Sequence, residues 1–247
     1  MTTRLKYLAY PSVYIPTLRR YCKRMYLAAL VRSGRLPQAA LKDANALPPE
    51  LYYNMLWLSL REVRPRSVFT EPHTFGSTLI RSRTKLVAEY CADHFKGDFV
   101  EIGCLHGATT RILAGVARHH GRRVIAVDPW CSENRTEQDY QEFLKNTKEF
   151  GDIIDIVRES SLSDAAKKYM AGRDLCMAYV DGLHTYEAAL SDILAVAHCN
   201  GIISVDDVSY GTQVMCAMRR AALMIDRVAV RLFESREGYL VRRERGI

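Results

Sequence analysis

The stretch Phe99-Val-Glu-Ile-Gly-Cys-Leu-His-Gly-Ala-Thr-Thr110 decides the fold. A short apolar run breaks at Gly103 and Gly107 and gives way to a helical pattern, which predicts a strand, a tight turn and a helix starting near His106. Glycines at these positions let backbone approach a ligand closely, and the first helical turn offers unpaired N–H groups at the positive end of the dipole. The spacing is E-x-G-x-x-x-G. A dinucleotide fingerprint needs G-x-G-x-x-G, and Cys104-Leu105-His106 do not supply its remaining glycines. A Walker loop needs Gly-Lys-Ser/Thr, which Ala108-Thr109 after Gly107 exclude.

Downstream of this stretch, strand and helix alternate in the manner of a parallel sheet with crossovers. Strands are predicted near 98–103, 123–128, 153–158, 175–181 and 201–206, with helices near 106–119, 136–150, 162–171 and 186–198 between them. After a helix at about 212–225, Val228 to Glu234 and Gly238 to Arg243 read as two extended runs joined by Ser235-Arg236-Glu237, a hairpin. Upstream, a helix is expected from about Ser82 to Phe95, and another from Glu50 to Val63 with Leu51, Met55 and Leu58 inward, ended by Pro65.

Composition sets the outer bounds. With 247 residues and 48% hydrophobic content, the chain can build one sizeable domain plus an extension. Its seven cysteines are scattered without a C-x-x-C pair, which disfavours a disulfide or zinc framework and fits a reducing cytosol. No apolar run approaches the roughly 18 residues of a membrane span, and Tyr7 to Leu18, with two prolines and no small-residue cleavage site, does not read as a signal peptide. The formal charge of +7 is unevenly placed: residues 1–42 hold nine Lys or Arg and no acid, leaving 26 basic against 28 acidic groups in the remaining 205 residues. The basic excess therefore belongs to the N-terminal segment, and the α/β part shows little sign of a nucleic-acid surface. Within that segment Leu18, Tyr21, Cys22, Met25, Tyr26 and Ala29 recur at helical spacing, opposite Arg19, Arg20, Lys23 and Arg24. Two readings stand: a helix packed on the body or on a second copy in a homo-oligomer, or a peripheral membrane helix over residues 17–33. The domain division expected is 1–74, a basic helical extension, and 75–247, the α/β domain.

Ligands of open parallel sheets bind outside the carboxyl ends of the strands. Those ends are acidic here. Asp128 closes the second strand, where a carboxylate can accept hydrogen bonds from both ribose hydroxyls, and Pro129-Trp130 follows, Trp130 either covering a base or filling the loop. Arg158-Glu159-Ser160-Ser161 closes the third, its serines either donating to a ligand or capping the next helix. Asp181 closes the fourth strand and Asp206-Asp207 the fifth. Three unpaired carboxylates at one mouth would repel and raise one another's pKa, and a hard divalent cation relieves this, with oxygen ligands favouring Mg²⁺ over zinc. His184, three residues beyond Asp181, is placed either as a base for an acceptor hydroxyl or as a histidine hydrogen-bonded to a ligand carboxylate.

A parallel sheet finished by an antiparallel hairpin, with a glutamate two residues before the first glycine, resembles the Rossmann-like, seven-stranded fold of class I S-adenosylmethionine (SAM)-dependent methyltransferases. The strand-end acids bring the chain closer to the metal-dependent O-methyltransferases, and among them to the macrocin O-methyltransferase type that modifies sugars of bacterial natural products. Catechol O-methyltransferases share most of the pattern but carry lysine where this chain has His184 and Asp-Asn where it has Asp206-Asp207. The resemblance spans about residues 75–243. It implies that Glu101, Gly103, Gly107, Thr109, Asp128, Ser160, Ser161 and Asp181 contact SAM, that Asp181, Asp206 and Asp207 hold Mg²⁺, and that His184 is the catalytic base. The expected activity is methylation of a hydroxyl on a small-molecule or glycosidic acceptor, with no nucleic-acid partner. The alternatives are a phenolic, catechol-type acceptor, a SAM-binding module at a membrane without catalysis, and an NAD or nucleotide-sugar Rossmann enzyme, which the missing glycines disfavour.

Overall fold

The computed structural model of the protein describes residue 51 and residues 78–131, 136–208, 212–231 and 236–242. The order is α1 (Thr78–His94), β1 (Asp98–Ile102), α2 (Ala108–His119), β2 (Val124–Val127), α3 (Glu137–Thr147), β3 (Ile154–Val157), α4 (Asp164–Ala171), β4 (Leu175–Val180), α5 (Tyr186–Ala195), β5 (Ile202–Val205), α6 (Thr212–Met224), β6 (Arg227–Val230) and β7 (Gly238–Arg242). Every predicted strand and helix of the α/β part is present. The expected amphipathic helix at 17–33, and all of the segment 1–74 except Leu51, lie outside the described residues. Leu51 itself is helical and buried in the core, as its inward assignment required.

The seven strands form one sheet in the order β3-β2-β1-β4-β5-β7-β6. Pairs β3/β2, β2/β1, β1/β4 and β4/β5 are parallel, while β7 runs antiparallel to both β5 and β6. The chain winds outward from β1 in one direction and from β4 in the other, so the crevice expected of such sheets opens between their carboxyl ends. Alternation along each strand splits the core between two faces. Phe99, Val124, Ala126, Met177 and Tyr239 pack with Val87 and Cys91 of α1, Leu113 and Ala117 of α2 and Phe143 of α3. Val100, Ile125, Ala178, Ile203 and Leu240 pack with Met170 of α4, Ile193 of α5 and Met218 of α6. Each fully buried Phe or Leu of this kind contributes roughly 1.5–3 kcal/mol.

Helix starts follow local chemistry. The side chain of Ser163 accepts from Ala166 N to open α4, Thr185 does the same from Ala188 N for α5, and Thr136 with Asp139 forms a capping box on α3. The stretch Cys131 to Gly151, expected either as an acceptor lid or as an amphipathic helix on the sheet, is the latter where it is described: Phe143 and Thr147 of α3 are buried under Gly107, and Lys148–Phe150 continue as a 3₁₀ turn.

A buried polar network ties α1 to the terminal hairpin. Glu237, 1% exposed, accepts from Arg83 Nε at 3.1 Å, Thr84 Oγ1 at 3.3 Å, Tyr179 Oη at 3.3 Å and Tyr239 Oη at 2.8 Å. Four donors on one carboxylate satisfy its acceptor sites, the condition under which burying an ion pair is tolerable.

Candidate active site

The glycine loop is built by its neighbours as much as by its own residues. Gly103 has φ +85°, and a Cβ there would sit 2.0 Å from the carbonyl oxygen of Asp181. Its missing side chain thus lets the end of β4 lie against the end of β1, a role the sequence had assigned to ligand approach. Gly107, φ +79°, caps α2, and a Cβ there would meet Thr147 at 2.6 Å. Asp128 fixes the loop between them: its Oδ2 accepts from Cys104 N at 2.9 Å and Leu105 N at 3.0 Å, and its Oδ1 from Trp130 N at 2.8 Å. A carboxylate has about four acceptor sites, so Asp128 keeps one for a hydroxyl rather than the pair expected for a ribose diol. Trp130 is fully buried, lies tilted against Phe143 with ring centroids 4.7 Å apart and donates to Leu105 O at 2.7 Å. It fills the loop and does not cover a base. His106 Nε2 lies 2.7 Å from Asp139 Oδ1, linking the loop to α3.

Glu101 is 2% exposed on β1 and accepts from Thr110 Oγ1 at 2.5 Å. Burial, opposed by that hydrogen bond and reinforced by the charges of Asp181 and Asp128, pushes its carboxyl up to about 8. A cavity of about 100 Å³ is lined by Glu101, Thr109, Tyr179, Asp181, Asp206 and Arg236, with the glycine loop as its floor. Small-molecule pockets begin at roughly 300 Å³, so this space by itself is too small to enclose a whole nucleoside cofactor. Ser160 and Ser161 lie beyond it. Ser160 Oγ accepts from Leu162 N at 3.3 Å, and the cap of α4 is Ser163.

The acids of β4 and β5 come together as predicted from their strand ends, with one rearrangement. His184 Nε2 lies 3.3 Å from Asp181 Oδ1 and 3.3 Å from Asp207 Oδ2. Asp181, His184 and Asp207 each offer one ligand atom within 4.8 Å of the others, a grouping able to hold a metal ion. Asp206 is engaged differently. It is 3% exposed, and Arg236 grips both its oxygens, Nε to Oδ1 at 2.9 Å and an NH2 nitrogen to Oδ2 at 2.8 Å. Arg236 Nε also approaches Asp207 Oδ1 to 2.6 Å without hydrogen-bond alignment. Burial raises the carboxyls of Asp181 and Asp207 above the usual range, against the pull of His184 on both, and hydrogen bonding to Asp181 raises the His184 imidazole. Leu105, Trp130 and Asp207, three of the four non-glycine residues with positive φ among the described residues, stand at the ends of β1, β2 and β5. Backbone strain collects where function does.

Sequence reasoning missed Arg236, Tyr179 and the Glu237 network beside them. The local signal was a charged pair, Arg236-Glu237, immediately before the apolar run of β7. It also missed Asp192. That acid lies on the inward stripe Ala188, Ala189, Asp192, Ile193 of α5, 1% exposed, and a Cβ on Gly182 would touch its Oδ2 at 2.5 Å. Neither oxygen has an aligned hydrogen-bond partner among the described residues. Burial pushes it up to about 6, against the nearby Ser161 hydroxyl and Lys167. The native state then keeps this proton to higher pH than the unfolded chain, whose Asp titrates near 3.9, and stability falls as pH rises through that window. Asp192→Asn is expected to stabilise the protein by about 1–2 kcal/mol at pH 7, the roughly 3 kcal/mol of avoided ionisation less the cost of a buried amide. Urea unfolding at pH 7 and pH 4 checks this, because the gain vanishes at the lower pH.

Comparisons with known proteins agree with this architecture. Residues 100–208 match the family model described as a methyltransferase domain. A search of the curated proteins gave no match to the sequence. Among solved structures, the O-methyltransferase NovP is similar at 15% identity, with a TM-score of 0.54 over 69% of this chain and 84% of its own. CalS11, a TDP-rhamnose 3'-O-methyltransferase of calicheamicin biosynthesis, is similar at 16% identity and TM-score 0.51, over 79% and 95% of the two chains. Cofactor-bound Rv0187 from MTB gives 18% identity and TM-score 0.52, over 83% and 96%. Such identities speak for the shared fold, and the family match covers its core: residues 100–208 match a methyltransferase domain, and the chain has the sheet and helices of the class I methyltransferase fold.

Proposed function

We propose that this enzyme transfers the methyl group of SAM to a hydroxyl oxygen of a small molecule, a sugar hydroxyl of a glycoside or glycolipid being the acceptor class. One observation carries the reading: Asp181 and Asp207 meet at His184, and Asp181 also lines the cavity whose floor is the glycine loop. The O-methyltransferases NovP and CalS11, the latter acting on a TDP-rhamnose, lend the acceptor class.

The protein's work in such a reaction is positioning and electrostatics, because the sulfonium already activates the methyl group. Glu101, Thr109 and the N–H groups at the start of α2 hold the methionine end of SAM, and Asp128 offers its remaining acceptor site to the ribose. Ser160 and Ser161 stand on the base side. The acceptor oxygen attacks the methyl carbon in line, the carbon–sulfur bond breaks to leave S-adenosylhomocysteine, and the hydroxyl proton passes to the His184 imidazole. Leu183, 65% exposed between Asp181 and His184, gives the acceptor an apolar face to lie on.

The donor set fits a hard divalent cation such as Mg²⁺. Asp181 and Asp207 supply carboxylate oxygens beside His184, and burial, which raises both carboxyls, is a cost that a bound cation would offset. A cation there would polarise the acceptor hydroxyl and lower its pKa. The test is methyl transfer from SAM to a panel of sugars, glycosides and a catechol. We expect transfer to a sugar hydroxyl, lowered at least about tenfold by EDTA and restored by Mg²⁺, in line with the several kcal/mol a Lewis acid supplies. Equal rates with and without EDTA would remove the metal from the reading; transfer to the catechol alone would replace the acceptor class.

A further inference from the structure

We propose that Arg236 is a positioning residue of the cation site: its guanidinium takes Asp206 out of the ligand set, so that a divalent cation is held by Asp181 and Asp207. The inference rests on the metal reading above and goes beyond it, because sequence pattern alone assigns all three acids to the metal.

Geometry supplies the first support. Both Asp206 oxygens are spent on Arg236, and Oδ1 accepts the Asp207 N–H at 2.8 Å as well. A bidentate guanidinium–carboxylate pair is planar, directional and strong, and a lysine could not reproduce its fork. The pair is also held from behind. Glu237, the next residue in the chain, is locked by four donors from α1, β4 and β7, which fixes the backbone from which Arg236 reaches. By contrast Asp181 and Asp207 turn one oxygen each toward the partly exposed His184, whose side chain is 50% accessible. The two acids of the Asp206-Asp207 pair thus have separate tasks, and Asp207 reaches its own through a left-handed backbone, φ +56°.

Charge supplies the second. Three carboxylates and one guanidinium carry a net charge equal and opposite to that of one divalent ion. Without Arg236 the same pocket would hold three negative charges, bind the ion more tightly and free Asp206 to join it. Arg236 therefore sets the affinity of the site as well as its ligands.

The experiment is Mn²⁺ titration, read by the EPR signal of free Mn²⁺, on the full chain and two variants. Arg236→Gln is expected to bind Mn²⁺ at least about tenfold more tightly, because a positive charge within a few ångströms of the ion is gone. The double variant Arg236→Gln with Asp206→Asn restores the charge of the cluster and is expected to bind within about threefold of wild type, since removing both partners of a pair is nearly neutral. A double variant that loses Mn²⁺ binding would make Asp206 a ligand and overturn the inference. So would a single variant that binds no more tightly than wild type, which would leave Arg236 only a structural role in the hairpin. Wild type that binds no Mn²⁺ at millimolar concentration would sink the metal reading itself, and this inference with it, a pattern distinct from the other two.

Discussion

His184→Ala is expected to lower kcat for methyl transfer by about 10²- to 10⁴-fold, the span usual for loss of a general base, with SAM affinity unchanged. The imidazole does not line the cavity over the glycine loop, and its Nε2 meets only the rim acids Asp181 and Asp207 among its described polar contacts. Removing it takes away the proton acceptor and leaves the cofactor's contacts in place. The variant's rate should climb with pH as the acceptor hydroxyl begins to ionise unaided, so that part of the loss is recovered in alkaline buffer. The rival role for His184 is to orient Asp181, and it leaves a different trace. An orienting histidine costs about 10- to 100-fold, weakens metal binding along with turnover, and gains nothing from alkaline buffer. Stopped-time methyl-transfer assays from pH 6 to 10, run beside Mn²⁺ titration, separate the two.

Glu101→Gln is expected to weaken SAM binding about 10- to 100-fold, as loss of a charge-assisted hydrogen bond of roughly 1.5–3 kcal/mol would, and to abolish its pH dependence below neutrality. The free protein holds this buried carboxyl protonated up to about pH 8. SAM brings an ammonium and a sulfonium, both of which favour the carboxylate. Binding below that pH must therefore expel a proton from Glu101, and wild-type affinity rises with pH between 6 and 7.5, under the range where an α-amino group begins to titrate. Calorimetry in two buffers of different ionisation enthalpy counts the proton directly. A wild-type Kd that is flat over that range, or a glutamine variant that keeps the slope, would show that Glu101 does not face the cofactor's charges.

The strand ends were legible because two periodicities and one composition rule coincide there. Apolar runs of four to six residues ending in Asp128, Asp181 and Asp206 read as parallel strands delivering acids to one edge, and the observed order places β2, β1, β4 and β5 in succession. The hairpin was legible from its two extended runs. What the sequence could not display was who meets whom across the fold. Arg236 reaches Asp206 over 30 positions, and Arg83 reaches Glu237 over 154, with no local pattern joining either pair. Asp128 illustrates the same limit at close range. Its position predicts an acid facing the cofactor, yet only the turn of the glycine loop reveals that three backbone N–H groups reach it first. The sequence marks Gly103 for close approach to a ligand, and the fold adds a neighbour the sequence could not show, the carbonyl of Asp181, 78 positions away and brought close by the β1/β4 pairing.

The terminal hairpin has a consequence for how the enzyme comes into being. Strand β7 is synthesised after every other strand of the sheet, yet the two residues that lead into it, Arg236 and Glu237, complete the rim and lock α1 in place. A nascent chain that has formed β1 through β5 still holds Asp206 without its guanidinium and Tyr179 without its acceptor. Asp206 thus gains its partner late, when the antiparallel strand docks, and a ribosome-stalled or proteolytically nicked product lacking that strand would keep the glycine loop while its rim acids stood without Arg236.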